Sequence, residues 1–274
     1  MIRTNLSTRP FYNERAVFNW LLIIAVAVLG ATAFNLSRVV RYSRSDTRLA
    51  TQAGYELRAG GVAVGVHDRL ELSLSRWSFR LGEVVPDRSL EMTTAAAKVR
   101  VVGDAIYDQD RWYPQVSIGV MHKRAADGAL VRSLGARDLT DNDVYVAATK
   151  LWLGAAGGRN VLANVAVRWT RANHFGLAGF GGPSQSGHRP MLEASVGVML
   201  RDDVVLGAEY RARPNTLQTR DPATQALREE AAWDVFLAWF PSPYASLTAA
   251  WVNLGQIVGQ RQQQGLYVSG QVGF

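Results

Sequence analysis

The 274-residue sequence has no cysteine, which excludes disulfides and thiolate metal sites. It has only 4 histidines, His67, His122, His174 and His188, and they share no ligand spacing, so neither a metal nor a cofactor is expected. Charged residues are scarce at 19% while apolar residues reach 48%, a composition of neither a disordered chain nor a helical bundle. No phosphate-cradling glycine loop is present. "GFGGPSQSGHRP" (Gly179–Pro190) is glycine-rich but lies between two alternating segments, and reads as a flexible loop.

Catalytic patterns are equally thin. A lipase or protease needs a Ser or Asp beside a His. His174 and His188 share a loop with Ser184 and Ser186, but spacing in sequence does not make a triad, and no enzyme is expected. "DAIYDQDRWYP" (Asp104–Pro114) alternates acidic residues yet falls short of a calcium loop, so a solvated hairpin turn is expected there.

The net charge of +7 is unevenly placed. Residues 1–50 carry Arg3, Arg9, Arg15, Arg38, Arg41, Arg44 and Arg48 against Glu14 and Asp46, about five of the seven charges. Basic residues that flank an apolar stretch report membrane topology rather than nucleic-acid binding. The stretch is "AVFNWLLIIAVAVLGATAF" (Ala16–Phe34), 19 residues with Asn19 as its one polar interruption. That is close to the ~20 residues a membrane-spanning helix needs. Two readings fit: a signal anchor, and a cleaved signal peptide with Ala31, Thr32 and Ala33 as the cleavage site.

The opening "MIRTNLSTRPFYNERAVFNWLL", through Asn5, Leu6, Arg9, Pro10 and Phe11–Arg15, resembles the start of PilN-like type IV pilus assembly proteins. That resemblance covers about the first fifty residues. It implies a short cytoplasmic peptide, one inner-membrane helix and a pilus assembly partner for the peptide.

From Gly54 onward the apolar pattern changes to a period of two. Val62, Val64 and Val66 alternate with Ala63 and Gly65, and Leu70, Leu72 and Leu74 with Glu71 and Ser73. Val161–Trp169, Leu192–Leu200, Val204–Tyr210, Trp233–Trp239, Leu247–Trp251 and Leu266–Val272 continue the pattern. A soluble sandwich also alternates. Three features point to a membrane barrel instead: strands of bilayer-spanning length, a second face rich in Gly, Ala and Ser, and aromatics near strand ends, among them Trp77, Phe79, Trp169, Tyr210, Trp233, Trp239 and Trp251, placed as an interfacial girdle. Connections also alternate between short and long, with long polar loops at 81–96, 124–142, 172–189, 212–231 and 254–264. An up-and-down barrel with tight turns at one end gives that rhythm.

"GGVAVGVHDRLELSLSR", "AKVRVVGDAIYDQDRWYPQVSIGV", "VYVAATKLWL", "LGAEYRARPNTL" and "DVFLAWFPSPYASLTAAWVNLG" are similar to a family of proteobacterial outer-membrane barrels known as a domain of unknown function. The similarity runs from about Tyr55 to Phe274. It implies an all-β fold: an antiparallel, up-and-down transmembrane β-barrel of about 11–12 strands, preceded by one hydrophobic helix. The expected organisation is a basic peptide at 1–15, a helix or signal peptide at 16–36, a linker at 37–53 and the barrel at 54–274.

Eleven strands are legible from residue 54, and bacterial barrels have an even number, so one strand is missing. An open edge in a bilayer leaves backbone groups unsatisfied at several kcal/mol each. A chimera explains the gap, with the pilus-like start joined near residues 50–54 to a barrel that lacks its first strand. The alternative is that residues 36–50 supply the strand, although they are basic and do not alternate cleanly.

Two function classes follow. One is a narrow channel or structural barrel in the outer membrane, with inward Arg168, Glu193, Glu209 and Arg211 setting any ion preference. Its partners are the lipid bilayer, lipopolysaccharide phosphates on outer-loop arginines, and the barrel-assembly machinery. The other is an inner-membrane pilus assembly component. The ending "GLYVSGQVGF" favours the first. The resemblance implies that a terminal alternating strand, here with Tyr267, Gly270, Val272 and Phe274, is the insertion signal for that machinery.

Overall fold

A period-two pattern gives each strand one apolar and one polar face, and within a bilayer a sheet of such strands leaves no unpaired edge only by closing around a lumen. A computed structural model shows this closure and describes residues 40–51, 54–82, 88–257, 259–260 and 262–273. The strands are β1 (Val40–Thr51), β2 (Glu56–Val66), β3 (Leu70–Arg80), β4 (Ser89–Val102), β5 (Gln115–Ala125), β6 (Thr140–Ala156), β7 (Arg159–Thr170), β8 (Arg189–Arg201), β9 (Val204–Arg211), β10 (Ala232–Ser242), β11 (Ala245–Asn253) and β12 (Gln264–Gly273). Each pairs with its sequence neighbours, and β1 pairs antiparallel with β12, so the barrel is closed. A short helix, α1 (Gly128–Ser133), lies between β5 and β6, with the Asp127 side chain accepting from Leu130 N at its start.

One rim carries tight turns such as 157–158 and 202–203, together with the 103–114 hairpin. That hairpin is the predicted solvated turn: Asp104 Oδ1 accepts from Ile106 N and Tyr107 N at 2.9 and 3.0 Å, and Asp108 Oδ2 accepts from Asp104 N. The opposite rim carries the long connections 126–139, 171–188, 212–231 and 254–263.

Outward positions form an apolar belt that includes Leu74, Ile118, Val146, Val165, Val235 and Val268, all well exposed on the barrel surface. Trp169, Tyr210, Trp233 and Trp251 border the belt toward the long loops, and Trp239 and Tyr244 toward the tight turns, as interfacial aromatics do. Small hydroxyl residues face the lumen. Thr47 Oγ1 meets Ser269 Oγ at 2.9 Å across the β1–β12 seam.

The structure corrects three expectations. Within the linker expected at 37–53, residues 40–51 form β1, the missing strand, and complete an even-numbered barrel. The loop expected at 81–96 is shorter, since β4 starts at Ser89. On β4, Leu90 and Met92 point inward while Glu91 and Thr93 point outward, and that reversed polarity hides a strand from a search for apolar outer faces. Trp77 and Phe79 are not girdle residues but face inward, at 6% and 7% exposure. The hydrophobic helix expected at 16–36 lies outside the described residues.

β1 was hard to recognise for a physical reason. Its lumen face is Ser45, Thr47 and Leu49, all buried, and its outer face is Arg44, Asp46, Arg48 and Ala50, all exposed. The register sets Arg44 beside Val62 and Val272, and Asp46 between Gly60 and Gly270, inside the apolar belt. Arg44 Nε and Asp46 Oδ2 lie 3.3 Å apart, which offsets part of the cost of facing lipid. An arginine on a barrel's lipid face costs about 2–4 kcal/mol at mid-depth. Replacing Arg44 and Asp46 together with Leu is therefore expected to stabilise the lipid-embedded barrel by roughly 2 kcal/mol. Guanidinium titration in liposomes checks this, and a loss of stability would show that the stripe faces something other than lipid.

Candidate functional site

The lumen is crossed by a ladder of alternating charge on five adjacent strands: Lys123 on β5, Asp143 on β6, Arg168 on β7, Glu193 on β8 and Arg211 on β9. Alternation directs each inward, and antiparallel pairing brings them level. Asp143 Oδ2 accepts from Lys123 Nζ at 2.7 Å and from Arg168 Nη1 at 3.0 Å. Arg168 Nη2 reaches Glu193 Oε1 at 2.7 Å, and Arg211 Nε lies 3.2 Å from the same oxygen. The Asp143 side chain is fully buried and that of Arg168 is 2% exposed, so the partners must neutralise one another.

Three of the four predicted lumen charges, Arg168, Glu193 and Arg211, thus belong to one network. Glu209 faces the same cavity from β9, a space of ≈ 110 Å³ that Met121, Tyr145 and Asn164 also line. Sequence reasoning missed Lys123 and Asp143. Val144 and Val146 face out, so the inward parity of Asp143 was there to be read, but the segment offered two plausible faces. Of the predicted insertion-signal residues, Tyr267 on β12 is buried in the lumen, Gly270 and Val272 lie on the outer face, and Phe274 lies outside the described residues.

Above the ladder the 171–188 loop folds into the barrel. Asn173, Leu177, Ala178 and Phe180 are buried. A tight 3₁₀ turn at Asn173–Gly176 holds His174 and Phe175 at positive φ of 44° and 66°, a left-handed conformation that costs energy for residues with a Cβ. Gly176 and Gly179 are required here: at φ 111° and 76°, an added Cβ would meet Met92 Sδ at 2.7 Å and Val131 Cγ1 at 2.5 Å respectively.

Polar anchors offset the strain. Thr216 Oγ1 donates to Asn173 Oδ1 at 2.5 Å, His174 N to Glu229 Oε2 at 2.9 Å, and Lys123 Nζ to the Phe175 carbonyl at 3.2 Å. The Phe175 ring has the Arg211 and Arg213 guanidiniums 5.2 and 5.1 Å from its centroid, and its centroid is 6.4 Å from that of Trp77. Burial pushes the His174 imidazole down to about 3, and the nearby Arg213 adds to this. Burial also raises the Glu229 carboxyl to about 7, against the pull of Arg213.

Neither histidine of the loop hydrogen-bonds a serine among the described residues. Ser184 Oγ donates to the Thr216 carbonyl at 2.7 Å, and His188 Nε2 lies 2.9 Å from Asp141 Oδ2. Asp141, Asp143 and His188 come within 4.8 Å of one another, a spacing that fits a metal ion. Their charges are already taken: Arg171 Nε lies 2.9 Å from Asp141 Oδ2, and Lys123 and Arg168 hold Asp143. A cation would have to displace three others, so the donor set does not fit one.

The profile of the family described as "Protein of unknown function (DUF3034)" matches residues 23–271. The matched span includes residues 50–54, and the chimera and the PilN-like reading find no support. No curated protein matches the chain. Among solved structures it is similar to a KdgM porin in complex with disordered oligogalacturonate, at 8% identity and TM-score 0.50 over 85% of this chain and 99% of that one. It is also similar to a NanC porin (11%, 0.49, over 84% and 98%) and to outer membrane phospholipase A from Escherichia coli (12%, 0.43, over 89% and 97%). At such identities the likeness is one of fold. A closed antiparallel barrel of twelve strands with an apolar exterior is an outer-membrane β-barrel.

Proposed function

Since this chain belongs to the DUF3034 family, whose description assigns no activity, we propose its role from its own lumen: a narrow outer-membrane channel held shut by the inward loop 171–182. The observation that carries this reading is how the block is built. It is a strained loop pinned by a few polar contacts around Phe175, so a modest conformational change would clear it. Once the loop is clear, Arg168, Glu193, Glu209 and Arg211, together with Lys123 and Asp143, would line the passage and set its ion preference. The reading assigns no catalysis. On the outer surface at the long-loop rim, the exposed Arg124 would pair with a lipopolysaccharide phosphate, and insertion would follow the route of the barrel-assembly machinery.

Planar-bilayer recording of refolded protein tests the proposal. The wild-type barrel is expected to show rare, brief openings. A variant in which residues 174–180 are replaced by a short Gly-Ser link is expected to be open at least about tenfold more of the time, by analogy with other gating loops. If both stay silent while remaining folded, the barrel is structural rather than a channel.

A further inference from the structure

The long loops and the adjoining ends of β2, β3 and β4 border a second cavity above Phe175, on the side away from the ladder. It has a volume of ≈ 90 Å³, and its walls are mostly aliphatic, with Leu81, Leu90, Leu130, Leu177, Leu217 and Ile257 among them. His174 and Arg213 are its polar neighbours. It shares Leu57, Trp77, Phe175 and Leu254 with the lumen cavity below, so the Trp77–Phe175 pair is the partition between the two.

Three properties define what such a chamber holds. Water needs two to four polar partners and about 10–15 Å³ of this kind of volume, so the space is ample but the walls are wrong for it. Left empty, the lining side chains forfeit their dispersion contacts on one side. The volume suits a single aromatic ring or a short aliphatic chain.

The charges narrow the class further. Arg213 is occupied: its Nε donates to the Glu230 carbonyl at 2.6 Å, its Nη2 to the Leu254 carbonyl, and Glu229 Oε2 lies 3.9 Å away. That leaves no uncommitted cation among the described lining residues for an anionic solute. Among the described residues the buried His174 Nε2 has no hydrogen-bond partner, and it supplies one polar point.

We propose that this chamber binds a small, neutral, mainly apolar solute with at most one hydrogen-bonding group, and that displacement of Phe175 passes it to the lumen. The inference rests on the channel reading for the second step and on the chamber alone for the first.

Saturable binding of fluorobenzyl alcohol to the full-length, detergent-solubilised protein, followed by ¹⁹F NMR, tests the first step, with fluorobenzoate as the charged control. Leu217, only 1% exposed, is changed to Trp to fill the chamber. The wild type is expected to bind the alcohol at least about tenfold more tightly than either the Leu217→Trp variant binds it or the wild type binds the benzoate, the scale of one well-buried contact. Heat-modifiable gel mobility confirms that the variant is folded. Should it fail to fold, Ala178→Leu fills the same space less severely. Equal binding by wild type and filled variant overturns the chamber as a site, and equal binding of alcohol and benzoate overturns the neutral class. Intact binding in a protein that never conducts overturns the channel reading while leaving the site standing.

Discussion

Changing Asp143 to Ala is expected to destabilise the barrel by roughly 3–5 kcal/mol, the cost of leaving buried charges without their counter-ion. Asp143 is the one acceptor shared by Lys123 and Arg168, whose side chains are 6% and 2% exposed. Without it, Lys123, Arg168 and Arg211 are left with Glu193 as the one carboxylate of the ladder. Asp143→Asn keeps one acceptor oxygen and should cost less. Urea unfolding of both variants in liposomes gives the comparison. A loss below about 1 kcal/mol for the alanine variant would mean that water reaches the ladder, as at an exposed pair. The same variant removes a negative charge from the lumen, so any conductance it retains should shift toward anions.

Acid is expected to release the inward loop, with a plateau that the two buried titrating groups set between them. His174 has an ordinary value of 6.5 and is held near 3 when the loop is seated, so seating weakens as pH falls from 6.5 toward 3. Glu229 has the opposite sign. Its ordinary value of 4.5 is raised to about 7, so seating weakens as pH rises from 4.5 through 7. Arg213 faces both groups, and Arg211 and Lys123 approach them through Phe175. Between 4.5 and 6.5 the two slopes oppose and cancel. Below that window the histidine acts alone, and each pH unit should loosen the loop about tenfold. Amide exchange at Asn173 and Leu177, corrected for its intrinsic pH dependence, measures the opening. Glu229→Gln should abolish the plateau, so that protection climbs steadily up to 6.5. A pH-independent opening rate in the wild type would remove His174 as the cause.

Where alternation was strong, sequence alone located the strands. Val161–Trp169 and Leu192–Leu200 place their apolar residues on the lipid face, and β7 and β8 follow with the polar residues inward. Arg168 and Glu193 were legible as lumen charges for the same reason. β1 was not, because its outer face carries Arg44, Asp46 and Arg48 where an apolar stripe belongs. The start of β4 was missed because its lumen face is the apolar one. The plug was invisible for a different reason. "RANHFGLAGFGG" has the glycine content of any surface loop, and only tertiary contact shows that Phe175 packs against two guanidiniums and that Gly179 abuts Val131. Loop burial is a long-range property, and no local period encodes it.

The apolar belt also has a height, and it is short. On β10 the bracketing Trp233 and Trp239 are 6 positions apart, which at ~3.3 Å per residue is roughly 20 Å along a strand. Strand tilt reduces the projection further, below the roughly 25 Å typical of such belts. On β1 the Arg44–Asp46 pair shortens it again. A surrounding bilayer meets that mismatch by thinning, most of all beside β1, and each ångström of mismatch carries a small cost. Hydrophobic thickness therefore discriminates among membranes for this barrel. It is best matched by a thin bilayer such as the bacterial outer membrane, and the lipid most deformed lies against the seam where β1 meets β12.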